Sequence, residues 1–213
     1  MSRRETDSRG EKALGVFLDK YFYERAREQR LMAYFERIYT SAMQKKGIDV
    51  VIDESRKIDE KAQLYYINRP VDSFAFEIDY FDEKKNEIVD GWFVSKSNET
   101  DEYLLMWIQK ARTNHVNRLV AEDFEKVEAD LVKKARIKAY VEKLGITDRV
   151  LKQKAIEMRD RKTRRFDFNE DCHITYSIKG FSEVPINLVI SKSVIDQLSE
   201  DRFLITKDKV EKL

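Results

Sequence analysis

Between Lys46 and Gln63 the chain carries a strand, a polar turn and a second strand, and it sets charged residues into both strands. The first, Lys46-Gly47-Ile48-Asp49-Val50-Val51-Ile52, ends in three β-branched residues, which suit a pleated, half-buried surface. The polar stretch from Asp53 to Lys57 reads as a tight connection. In the second strand Ile58, Ala62 and Leu64 alternate with Asp59, Lys61 and Gln63. Successive strand side chains point to opposite faces, so Asp59, Lys61 and Gln63 share one face. A hairpin standing alone would leave such a row as a solvated face with a surface Asp-Lys pair. More hydrophobic strands follow here, which places the polar row in the cleft of a larger sheet. Two carboxylates on paired strands can hold a divalent cation through oxygen, and a lysine beside them can orient water or face a developing phosphate charge. The Gln63 amide can add a hydrogen bond to phosphate, base edge or water. The chemistry this points to is phosphodiester hydrolysis.

Asp49, a loop, and Asp59-Glu60-Lys61 together resemble the signature of the PD-(D/E)xK nuclease superfamily, in which an aspartate precedes an acidic-x-lysine triplet on a β-hairpin. One position departs: Ile48 stands where the family has proline, a residue that does no chemistry. The resemblance covers Arg37 to about Ile108. It implies an α/β (α+β) fold of restriction-endonuclease type, a mixed central sheet flanked by helices, with additional C-terminal helices. It also implies a Mg²⁺- or Mn²⁺-dependent endonuclease acting on nucleic acid, DNA favoured over RNA. Asp49 and Asp59 would bind the metal, with the backbone carbonyl of Glu60 as a third ligand. Lys61 would position the attacking water and Gln63 would assist. An acidic residue on the first helix often completes such a site, and Glu24, Glu28 and Glu36 are the candidates, Glu36 being nearest in sequence to the catalytic strand. The alternative is a nuclease-derived module that binds nucleic acid or protein without turnover. Cutting both strands of a duplex favours a homodimer.

The charges nearly cancel, 41 basic against 40 acidic residues, so nucleic acid would be met by local patches and not by the whole surface. Two basic groups qualify. Lys133, Lys134, Arg136 and Lys138 are diluted by Glu125, Glu128 and Asp130, whereas Arg161, Lys162, Arg164 and Arg165 form a denser run and make the better phosphate-backbone site. Arg37 and Gln44 lie just upstream of Gly47 and could reach the cleft mouth, Arg37 gripping a phosphate with two parallel bonds or covering a helix end. Glu77, within an aromatic strand, is either an extra site residue or the partner of a cation such as Arg37. Trp92 could stack a base, but core packing is favoured.

Cys172 is the single cysteine, so neither an intramolecular disulfide nor a zinc cluster is expected. His115 and His173 lack the spacing of a zinc protease or HNH nuclease, and no phosphate loop or GxSxG turn is present. Without an apolar leader or a membrane-length segment, the expected home is the cytoplasm, with no membrane partner.

Residues 1–12 read as a flexible tail and 13–213 as a single domain. Leu14, Phe17, Leu18, Tyr21 and Phe22, continued by Leu31, Tyr34, Phe35 and Ile38, predict one long helix or two shorter ones. Residues 47–110 predict the core sheet, with strands near Ser73–Tyr80, Gly91–Val94 and a central one at Glu102–Ile108. Phe124, Val127, Leu131, Ala135, Ala139 and Leu144 follow a three-four rhythm, so 121–162 read as helical, broken at Gly145 and recapped by Thr147 or Asp148. Strands are expected at Ile174–Ile178 and Ile186–Ile190, and a short helix, Ser193–Leu198, closes the chain.

Overall fold

The computed structural model describes residues 3–177 and 183–213, with side chains from residue 8 onward. The chain opens with helix α1 (Arg3–Leu18), one π-helical turn (Asp19–Tyr23) and α2 (Glu24–Glu28). Strand β1 (Phe35–Arg37), helix α3 (Ser41–Gln44) and the hairpin β2 (Val50–Ile52) and β3 (Arg56–Ala62) follow. Next come β4 (Ser73–Asp82), β5 (Glu87–Asp90), β6 (Glu102–Ala111) and β7 (Phe124–Lys133). After α4 (Lys134–Lys143) and α5 (Asp148–Arg161) the chain ends with β8 (Arg165–Asp167), β9 (Cys172–Tyr176), β10 (Ile186–Ser191), α6 (Lys192–Leu198), β11 (Asp201–Ile205) and β12 (Val210–Lys212).

These elements form two compact units, the first from residues 1–71, 100–134 and 199–213, the second from 72–99 and 135–198. The first holds a seven-stranded sheet in the order β1-β2-β3-β6-β7-β11-β12. Its pairings are antiparallel except β3 with β6, which run parallel. One face, carrying Val50, Ile58, Leu104, Met106, Ala129 and Phe203, packs on Leu14, Phe17, Leu18, Phe22 and Tyr23 in one apolar cluster. The π turn, whose hydrogen bonds reach to i+5, shifts the helix face by a residue, so that adjacent Phe22 and Tyr23 both turn inward.

The second unit holds an antiparallel five-stranded sheet in the order β5-β4-β10-β9-β8. Phe76 is buried on β4 and meets Phe93 and Trp92 at 5.1 and 5.5 Å between ring centres. Gly91 is required there: a Cβ at that position would lie 2.4 Å from the Glu77 carbonyl oxygen. Helix α5 begins where Thr147 Oγ1 accepts the Val150 N–H, and Arg159 near its end is paired with Asp79 on β4.

The fold class is thus mixed α and β, as expected, with β6 at the centre of its sheet and strands β9 and β10 where the apolar runs predict them; Ile178 lies outside the described residues. Several expectations are corrected. Helix is already present from Arg3, within the stretch read as a tail. Residues 47–110 do not form one sheet, because β4 and β5 pair within the second unit, and Trp92 to Val94 form a turn and not a strand. Phe124–Lys133 is a strand and not a helix: Val127, Ala129 and Leu131 enter the apolar cluster at spacing two, a fit the three-four rhythm conceals. The first helical region stops at Glu28. The Leu31 N–H bonds the Ala26 carbonyl across Arg30 at φ 59°, a left-handed helix end without the glycine that usually marks one. The chain closes with the hairpin β11–β12, beyond the predicted last helix.

Candidate active site

The β2–β3 ladder pairs Val50 with Ile58 and carries one bond further, from Asp49 N–H to the Ile58 carbonyl at 2.9 Å. There the strands part. The next donor, Glu60 N–H, finds the Asp49 carboxylate instead of a β2 carbonyl, with Oδ2 at 2.9 Å. On the far side of β2 the Ile38 N–H holds the Asp49 carbonyl at 2.8 Å, so the Asp49 backbone is fixed from both neighbours. A residue's N–H and C=O lie along the same strand edge, so the Glu60 carbonyl faces the same opening as Asp49. Asp59 and Lys61 share the face of β3 opposite Glu60, and Lys61 Nζ donates to Asp59 Oδ1 at 2.5 Å. Across the parallel pairing their neighbours on β6 are Tyr103 and Leu105, both fully buried, and of the pair Asp59 is buried while the Lys61 side chain keeps 27% of its surface exposed.

Asp59 is 1% exposed. Its pKa is raised to about 7: burial pushes it up most, Lys61 pulls it down, and the charge of Asp49, which also shares a hydrogen bond with Asp59, adds to the rise. Burial works against the charge of Lys61, yet Asp59 and Asp49 outweigh it and hold the ammonium pKa above its ordinary value. Two carboxylates, one buried and one half-buried, therefore face one fixed cation. That donor set fits a divalent metal: oxygen ligands of like charge, one of which resists ionisation until more positive charge arrives.

The other predicted residues are distributed as follows. Gln63 lies one residue past β3, with ψ 59° ending the alternation and its N–H on the Met106 carbonyl. Glu36 is on an edge strand and not a helix; it is exposed in the row Glu36–Val51–Lys57, one step along the sheet from Asp49. Glu24 and Glu28 are exposed on α2. Gln44 uses its amide on the Ile38 carbonyl. Arg37, read as gripping phosphate or covering a helix end, is engaged on the helix side of the sheet by Glu60 and Asp19. Glu77 and Trp92 belong to the second unit, Trp92 against Phe76 in its core, and Glu77 is not the partner of Arg37. Arg161, Lys162, Arg164 and Arg165 are exposed in the second unit, Arg165 paired with Asp167 at 2.7 Å.

One acidic residue escapes the sequence reading: the charge of Glu11, on α1, acts on Lys61. Its signal is its spacing, since Glu11, Leu14, Gly15 and Leu18 fall on one helix stripe that is otherwise core. Comparison with protein-family models, curated proteins and solved structures finds no match. No helix among the described residues is long and apolar enough to cross a membrane.

Proposed function

We propose that this protein is a metal-dependent nuclease of the PD-(D/E)xK type, hydrolysing phosphodiester bonds of nucleic acid. One observation carries the reading: Asp49, Asp59 and Lys61, tied to one another by charge and hydrogen bonds, converge where β2 and β3 separate. Asp49 and Asp59 would hold Mg²⁺ or Mn²⁺, joined by the Glu60 carbonyl, and Glu11 is the helix carboxylate placed to influence the same charge balance. When bound, such a cation stabilises charge building on the phosphoryl oxygens and acidifies nearby water. Lys61, kept protonated by its two carboxylates, orients the attacking water and faces the developing negative charge. Burial of Asp59 strengthens each of these interactions, since little solvent screens them.

The test is a Mg²⁺ or Mn²⁺ titration followed by thermal unfolding, together with a nicking assay on DNA and RNA with and without chelator. Cation binding to the folded state raises the melting temperature by mass action. Cleavage that chelation stops is the expected result. A melting shift without cleavage identifies a binding module, and no shift with no cleavage removes the nuclease reading.

A further inference from the structure

Behind the site, on the helix side of the sheet, lies a half-buried network that no nuclease signature requires. Arg37 Nη1 and Nη2 lie 2.9 Å from Glu60 Oε2 and Oε1, a two-bond fork. Its Nε donates to Asp19 at 2.7 Å, and the Tyr23 hydroxyl donates to Glu60 Oε1 at 2.8 Å. Asp19 and Tyr23 are the two ends of the π turn, so the irregular helix turn is what brings both to this spot. The guanidinium lies over Gly15 of α1, with Nη2 3.4 Å from its carbonyl oxygen.

Glu60 is the middle residue of the Asp59-Glu60-Lys61 triplet, and its amide is the donor that holds Asp49 Oδ2. Arg37 and Ile38 are consecutive, and they secure Asp49 from two directions: the Ile38 amide holds the Asp49 carbonyl, and the Arg37 side chain holds the residue that holds the Asp49 carboxylate. We infer that Arg37 is a positioning residue of this site, clamping Glu60 so that the Asp49 carboxylate stays turned toward Asp59. The inference rests on the nuclease reading for its purpose, but the clamp is a property of the apo fold. A buried ion pair of this kind adds little stability over an apolar pair of equal volume, so its effect is read in local geometry and cation affinity.

The experiment compares wild type with Arg37→Lys, Arg37→Met and the double variant Arg37→Met/Glu60→Gln. The double variant removes the Arg37–Glu60 pair and leaves only Asp19, 27% exposed and able to meet water, so it is expected to fold even if Arg37→Met alone, with Glu60 stranded, does not. Amide hydrogen exchange by NMR reads the clamp directly. In the double variant the Glu60 amide should exchange at least about tenfold faster, as expected of local opening, while the Gln63 amide on the Met106 carbonyl is unchanged. Calorimetry with Mn²⁺ alone should show affinity falling roughly 10–100-fold, the usual effect of losing an outer partner of a metal ligand, with KM for nucleic acid unchanged. Arg37→Lys should recover part of both. Unchanged Glu60 exchange in the folded double variant overturns the inference, as does a raised KM at unchanged Mn²⁺ affinity, which would return Arg37 to gripping phosphate. A wild type that binds no Mn²⁺ overturns the nuclease reading instead, and the Glu60 amide still decides the clamp.

Discussion

A carboxyl group 1% exposed and facing a second carboxylate keeps its proton far longer than a free aspartate does, and Asp59 is such a group. Because its pKa is raised from 3.8 to about 7, the stability it allows is fully present below the unfolded value and is lost as pH rises through about 7. Apo wild type should therefore lose stability between about pH 4 and about pH 8, and Asp59→Asn, which has no proton to lose, should give a flatter melting-temperature profile over that range. An equally steep profile in the variant would show that another group carries the dependence. The same proton competes with a cation. Mn²⁺ affinity should rise by up to about tenfold per pH unit below about pH 7 and level off above it, since ligands must be deprotonated to bind. Calorimetry at about pH 6, 7 and 8 measures this, and a flat series would remove Asp59 from the ligand set. Asp59→Asn should also abolish cleavage with the fold intact.

At the scale of elements, the sequence discloses most where two kinds of signal coincide. The hairpin β2–β3 is legible because β-branched residues and a polar turn agree, and α5 because Gly145 and Thr147 punctuate it. Strand β7 is not legible, since Phe124, Val127 and Leu131 satisfy a helical spacing while both faces are buried from Val127 to Val132, so no alternation shows and only pairing with β6 and β11 decides. Glu36 is misassigned for a related reason: the helix ends at Arg30 in a left-handed conformation that arginine does not advertise. Asp49, Asp59 and Lys61 could be read because their chemistry sits close together in the chain; Glu11, Asp19 and Tyr23 could not, because a π turn and tertiary packing bring them near. The punctuation can be tested on its own terms. Gly145 sits at φ +77° with nothing within 4 Å of the position a Cβ would take, so Gly145→Ala meets no neighbour and strains only the backbone. It should cost about 1–2 kcal/mol in urea unfolding, the penalty of a left-handed non-glycine residue. A neutral result would mean that the helix end rearranges.

For the whole molecule, near-zero net charge means that the proposed nucleic-acid binding would fall to local groups, and the exposed run Arg161, Lys162, Arg164 and Arg165 is the denser of the two basic groups. Lys162 itself is the left-handed cap of α5, so the run turns a corner and presents its charges from a helix end and a following strand. Arg165 spends part of its charge on Asp167, whereas in the other basic group Lys133 and Lys138 are held by Glu200 and Asp148. Binding through the phosphate backbone carries no sequence information, so the run should bind all sequences alike. Replacing its four residues with glutamine should weaken binding uniformly and reduce the salt slope by roughly one unit for each phosphate that is no longer neutralised. Mn²⁺ affinity should not change, because the proposed ligands Asp49 and Asp59 belong to the first unit, and cleavage at saturating substrate should persist. Filter binding over a salt series, with matched DNA and RNA, distinguishes the cases. An unchanged affinity and slope would mark the run as a solvated face and shift the search for the substrate surface to Lys45, Lys46 and the Lys133–Lys138 group.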